Sequence, residues 1–195
     1  MQAIYLNKAT QLAKDIIKKV VKSGDVVVDA TIGNGNDTVF LCNLVGDSGK
    51  VYGFDIQKKA VMTTIKKLEM ENVIDRAVII EDGHENIDKY VKEEVSAIMF
   101  NLGYLPKADH NITTKYNTTI EAIKKGIKVL KLNGVMTIVV YPGHKEGFEE
   151  KIKLLEFLEK IDQKYINVLK LEFINQINNP PFVLALEKKS KDVVF

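Results

Sequence analysis

Four acidic residues, Asp29, Asp37, Asp55 and Asp82, stand in or just after short apolar runs, and Gly33 and Gly35 separate the first two. Glycines at that spacing allow a tight turn and let a ligand approach the backbone closely. Asp55 ends the second apolar run, where a carboxylate can accept both hydroxyls of a ribose. Asp82 follows the third run and can face an adenine edge, with the backbone of Gly83 and His84 beside it. A dinucleotide would require G-x-G-x-x-G and a pyrophosphate on the following helix N-terminus. Here Thr38 holds the third glycine position, and Asp37 stands where the diphosphate would approach. Acids at 37 and 29 repel a polyanion and suit a cation. The sulfonium and α-amino groups of S-adenosylmethionine are such cations, so the four acids favour that cofactor over a nicotinamide dinucleotide.

Methyl transfer from a sulfonium is an in-line displacement in which charge disperses, so alignment supplies most of the acceleration. An attacking amine must be neutral, which calls for acceptors around it. Asn101 ends the fourth apolar run, at the strand edge where open α/β sheets bind ligands. Its carbonyl can accept amine N–H bonds. Tyr104 either stacks on a base or packs as a half-buried aromatic. His144, in Tyr141-Pro142-Gly143-His144, either relays the amine proton or fixes its own loop through a backbone hydrogen bond. Tyr141 has the same two readings, stacking or packing. Asn175 to Phe182 is rich in Asn and Pro, and either contacts a base edge or phosphate or forms a turn capped by its own amides. His84 and His110 read as loop or solvent residues. No pair of histidines has metal-ligand spacing, so no metal is expected.

These residues need a scaffold, and the chain alternates in type. Helices are predicted over 8–22, 37–44, 58–70, 87–91, 119–132 and 146–161, the fifth closed by an Asn133-Gly134 turn. Strands are predicted over 26–28, 51–54, 78–80, 97–100 and 135–140. Residues 165–173 and 182–187 read as two strands with no room for a helix between them, so they pair as an antiparallel hairpin. The expected fold is α/β: a Rossmann-like, seven-stranded, mostly parallel sheet with a C-terminal antiparallel hairpin and helices on both faces.

The 195 residues fit one domain spanning 1–195. Twenty-eight Lys and Arg against 26 Asp and Glu give a net charge of +2, which excludes a generally basic nucleic-acid coat. Cys42 is the one cysteine, so no internal disulfide or CxxC site exists, and a reducing cytoplasm is expected. Cys42 itself reads as a small buried hydrophobe. No apolar run is long enough to span a bilayer, and lysines at 8, 14, 18 and 19 interrupt any leader pattern. Two lysine groups, at 8–22 and 124–131, read either as phosphate contacts or as solvated helix faces.

The stretches Asp29–Asp37, Asn101-Leu102-Gly103-Tyr104-Leu105-Pro106, Tyr141–Gly147 and Asn175–Phe182 together resemble the "putative rRNA methylase" family of class I S-adenosylmethionine-dependent methyltransferases. Asn101-Leu102-Gly103-Tyr104 is also similar to the Asn-Pro-Pro-Tyr motif of many amino-methyltransferases, without its two prolines. The resemblance implies N-methylation of 5-aminomethyl-2-thiouridine at the tRNA wobble position, with the anticodon stem–loop as partner. Expected cofactor residues are Asp29, Thr31, Gly33, Gly35, Asn36, Asp37, Asp55, Ile56, Asp82, Gly83, His84 and Asn101. Expected catalytic residues are Asn101, Tyr104 and His144. Expected substrate residues are Tyr104, Pro106, Asp109, Tyr141, Gly143, His144, Asn175 and Asn178. Homodimerisation is one way for a small enzyme to gain RNA surface. Methylation of rRNA or a small amine, NAD-dependent oxidation and non-catalytic RNA binding stand as alternatives.

Overall fold

A computed structural model describes residues 6, 8–103, 114–193 and 195. Helix α1 (Ala9–Val20) forms because Ala9, Ala13 and Ile17 recur on one buried stripe, and Lys18 and Lys19 in its last turn complement the helix dipole. The parallel strands β1 (Val26–Asp29), β2 (Lys50–Asp55), β3 (Ala77–Glu81) and β4 (Val95–Asn101) alternate with α2 (Asn36–Val45), α3 (Lys58–Met70) and α4 (Ile87–Tyr90). Then come α5 (Tyr116–Val129), β5 (Leu130–Val140), α6 (Lys145–Leu158), β6 (Ile166–Leu171) and β7 (Phe182–Lys188).

The strands form one seven-stranded sheet in the order β3-β2-β1-β4-β5-β7-β6. Successive strand residues point to opposite faces, and two cores result. Val28, Phe54, Ile98, Phe100 and Ile138 pack under α4, α5 and α6, through Ile87, Ile123 and Leu154. Val27, Val51, Ala97, Met99 and Val139 pack under α1, α2 and α3, through Ile17, Leu41 and Leu68. Cys42 is fully buried in this second core, and burial pushes its thiol up to about 11.

The terminal strands pair antiparallel as expected, but β7 is inserted between β5 and β6. β7 is therefore buried along nearly its whole length, whereas β6 takes the sheet edge and leaves Leu169 exposed. The end of α5 departs from the sequence expectation. The helix stops at Val129, and Asn133 (φ 61°) and Gly134 lie inside the span of β5 rather than closing the helix. Between the pairs Val95↔Leu130 and Ala97↔Val135 the register shifts, so residues 131–134 loop out of the ladder. The buried Lys188 explains the early stop. Its ammonium donates to the carbonyls of Ile127 (2.8 Å), Lys128 (3.2 Å) and Leu130 (2.6 Å), taking the acceptors that end the helix. Among the described residues, no helix is long and apolar enough to cross a membrane.

Candidate active site

Strand order reverses on either side of β1, and a cavity of about 1220 Å³ opens at the carboxyl ends of the parallel strands. Single small-ligand pockets run to about 1,000 Å³, so this one has room for a cofactor and a second molecule.

One end is built from the turns after β1, β2 and β3. Gly33 (φ 50°) and Gly35 (φ 76°) adopt left-handed backbone, and Gly35 is the residue just before α2. The Gly33 N–H donates to Asp55 Oδ2 (3.1 Å), and the Gln57 N–H donates to Asp55 Oδ1 (2.9 Å). Each carboxylate oxygen keeps a second lone pair for a hydroxyl. Burial pushes Asp55 upward, and these backbone bonds oppose the push. Ile56 beside it lines the cavity and is largely exposed. Asp82 accepts from Gly83 N–H (2.8 Å), Asn86 Nδ2 (2.8 Å) and Tyr90 Oη (2.9 Å). Burial raises its pKa, but the bonds outweigh burial and hold it below its usual value.

Asp29 occupies a different place from the other three acids. It is buried behind the cavity wall rather than lining it, and accepts from Thr38 Oγ1 (2.7 Å) and the Thr31 N–H (3.2 Å). Burial, reinforced by the charge of Asp37, raises its pKa to about 7, against the pull of those two bonds. A cation in the cavity would favour its ionised form. His84 is not a solvent residue. It is buried against the edge of Phe100, with Nδ1 3.2 Å from the Ala30 carbonyl. A carbonyl only accepts, so the proton sits on Nδ1; burial lowers the ring's pKa.

The other end gathers Asn101, Asp37, Tyr141 and Lys14. The Asn101 N–H donates to Thr31 Oγ1 (2.7 Å), and its Nδ2 lies 3.4 Å from Asp37 Oδ2. Asp37 Oδ1 accepts from Lys14 Nζ at 2.8 Å, so it does not stand as a bare anion. The Tyr141 phenol is raised by burial and by Asp37, and drawn back by a hydrogen bond with Asn101. Lys14 and Thr10 reach the cavity from α1, so Lys14 is neither part of a solvated face nor an outward phosphate contact. The helical spacing of α1 marked its buried stripe, but nothing local linked its flank to Asp37.

His144 caps α6: its Nδ1 accepts from the Gly147 N–H at 2.9 Å. In the neutral ring the proton then sits on Nε2, and the Nδ1 lone pair is committed to the cap. Taking an amine proton at Nδ1 would require breaking that bond. Only glycine fits at 147, because a Cβ there would meet the Tyr141 carbonyl and lie 2.8 Å from His144 Cε1. Gly143, His144, Asn178, Asn179 and Pro181 line the cavity, whereas Asn175 and Gly35 do not. Asn178 (φ 64°) and Asn179 (φ 49°) take the left-handed backbone of a turn. Tyr104, Pro106 and Asp109 lie outside the described residues.

The 124–131 lysine group is largely engaged within the protein, whereas in the 8–22 group Lys8, Lys18, Lys19 and Lys22 stay exposed and Lys14 turns inward. Lys14 pairs with Asp37, Lys125 with Asp88 and Lys131 with Asp25, and Lys124 sits over the Phe157 ring. Among the described residues, no group of three or more His, Cys, Asp or Glu is placed to hold a metal.

Comparison with known proteins bears on this geometry. Residues 51–187 match the model of the family described as "Putative rRNA methylase". The chain is similar to the chloroplastic tRNA (mnm(5)s(2)U34)-methyltransferase of Arabidopsis thaliana, with 37% identity over 159 aligned residues that cover 73% of this chain. It spans 56% of that relative's length. It is similar to the crystal structure of a "putative rRNA-methylase" from Clostridium thermocellum, with 52% identity, a TM-score of 0.93, and coverage of 95% of this chain and 100% of that one. It is also similar to a "putative methyltransferase" from Streptococcus mutans solved in complex with SAH, with 41% identity, a TM-score of 0.86, and coverage of 94% and 99%.

Proposed function

The chain belongs to the "Putative rRNA methylase" family of S-adenosylmethionine-dependent methyltransferases, and from that premise we propose that it N-methylates the aminomethyl group of 5-aminomethyl-2-thiouridine at the tRNA wobble position. The wobble-uridine relative supports this choice of acceptor. The observation that carries the amine reading is the cluster at the far end of the cavity. Asn101 directs its Nδ2 toward Asp37, which leaves its amide oxygen as an acceptor for an amine N–H. An amine held this way presents its lone pair to a methyl group, and S-adenosylmethionine supplies that methyl when bound. The glycine turn and the Asp55 acceptors fit the ribose of that cofactor, and the Asp82 cluster fits its adenine edge. His144 and Gly147 hold the loop after β5, keeping Tyr141 against Asn101.

The test is methyl transfer in vitro from S-adenosylmethionine to an anticodon stem–loop bearing 5-aminomethyl-2-thiouridine, read by mass spectrometry of the nucleosides. Gain of one methyl group at the wobble nucleoside is expected. No transfer there, with transfer to rRNA or a small amine, overturns the reading. Calorimetry separates the cofactors: binding of NAD without S-adenosylmethionine would reverse the cofactor assignment.

Asp55→Asn is expected to weaken S-adenosylmethionine binding by about ten- to a hundredfold, since charge-assisted hydrogen bonds contribute about 1.5–3 kcal/mol each. Calorimetric affinity within a factor of about two of the parent would remove Asp55 from the ribose site.

A further inference from the structure

A buried carboxylate that none of the steps above uses ties together the acceptor end of the cavity. Glu150 lies in α6 and is 3% exposed. Its Oε2 accepts from the Thr114 hydroxyl at 2.9 Å, and its Oε1 accepts from the Thr119 hydroxyl at 2.8 Å. The Thr114 hydroxyl oxygen accepts in turn from the Gly103 N–H at 3.0 Å, and the Thr114 N–H donates to the Gly103 carbonyl at 3.1 Å. Gly103 follows Asn101-Leu102 at the end of β4 and has φ 123°, a conformation only glycine adopts readily. Gly103 and Thr114 line the cavity; Thr119 does not. The carboxylate therefore joins the end of β4, the start of α5 and α6.

The chemistry of the fork is directional. An ionised carboxylate only accepts, so the Thr114 O–H must point at Glu150, and this turns a hydroxyl lone pair toward the Gly103 N–H. A buried carboxylate is costly to desolvate and gives no clear stability advantage over a well-packed apolar side chain. Burial raises the Glu150 pKa, while the two threonine bonds and the nearby His144 oppose that rise.

Resting on the amine-methyltransferase reading above, we infer that Glu150 is a positioning residue for the methyl acceptor: acting through Thr114, it fixes Gly103 and with it the Asn101 end of β4. Thr119 holds the second oxygen without touching Gly103, so the two threonines separate positioning from general stability.

The experiment compares Glu150→Gln, Thr114→Val, Thr114→Ser and Thr119→Val in stem–loop methylation, calorimetric S-adenosylmethionine binding and thermal unfolding. Misplacing a reacting group by about 1 Å costs about a hundredfold, so kcat should fall about ten- to a hundredfold in Glu150→Gln and Thr114→Val. Cofactor affinity should stay within about twofold of the parent in both. Thr114→Ser keeps the hydroxyl and should recover most of the kcat. Thr119→Val should lower the melting temperature yet keep kcat within about twofold. If Glu150→Gln does not fold, the contrast between the threonines decides alone. Equal losses of kcat in Thr114→Val and Thr119→Val would overturn the inference, as would a Glu150→Gln enzyme with parental kcat. A parent protein that methylates no aminomethyl acceptor overturns the preceding functional reading, and this inference with it, before any variant is compared.

Discussion

Asn101→Ala is expected to lower the rate of methyl transfer by about a hundredfold, or about 2.7 kcal/mol of transition-state stabilisation, while S-adenosylmethionine affinity stays within a few-fold of the parent. The split follows from how Asn101 is wired. Its backbone N–H, not its side chain, anchors the turn after β1 through Thr31 Oγ1 at 2.7 Å. Alanine keeps that N–H, so the turn between β1 and α2 should hold its shape. The side chain instead faces Asp37 and Tyr141, at the end of the cavity assigned to the amine. Removing it takes away the acceptor that orients the amine lone pair. Single-turnover methylation beside calorimetry reads the two effects separately. If Asn101→Ala loses cofactor affinity as severely as Asp55→Asn, the side chain belongs to the cofactor site and the amine-orienting role is wrong.

Lys188→Met is expected to be the most destabilising of these substitutions, at about 3 kcal/mol, because an unpaired buried polar group costs about 1–3 kcal/mol and three carbonyls lose their donor together. Methionine matches much of the stem but supplies no N–H. The carbonyls of Ile127, Lys128 and Leu130 would face a buried thioether at the point where α5 gives way to β5. For a chain of this size each kcal/mol shifts the melting temperature by about 2–4 °C, so a fall of about 6–12 °C is expected. Below the transition, cofactor affinity should match the parent, since Lys188 does not line the cavity. Urea unfolding within about 1 kcal/mol of the parent would show that the rim of α5 finds other donors, and would withdraw this account of where the helix stops.

Much of the scaffold could be read along the chain because its signals are local. The bounds 58–70 for α3 agree with the structure, and the other helices and strands fall within a few residues of their predicted ends. Apolar spacing of about 3.6 or 2 identifies an element without knowledge of its neighbours. The junction of α5 and β5 departs most, with β5 beginning at Leu130 rather than 135 and α5 stopping at Val129 rather than 132. Asn133-Gly134 is a sound turn signal, but Lys188, 61 residues from Ile127, ends the helix earlier. At the site, the acids of the strand ends were legible for the same local reason. Their arrangement was not: Asp29 withdraws behind the wall, His84 turns inward, and His144 caps a helix.

What the sequence determined by itself was therefore the order of helices and strands, the antiparallel pairing at the C-terminus and the acids and glycines of the turns after β1, β2 and β3. Each is written in residues close together in the chain. Only the tertiary structure decided that β7 lies inside the sheet, that Lys14 of α1 meets Asp37, and that Glu150 grips Thr114, 36 residues away. Those contacts depend on which faces pack together and which polar groups must find partners once water is excluded. That choice is made by the whole core at once, and no local spacing encodes it.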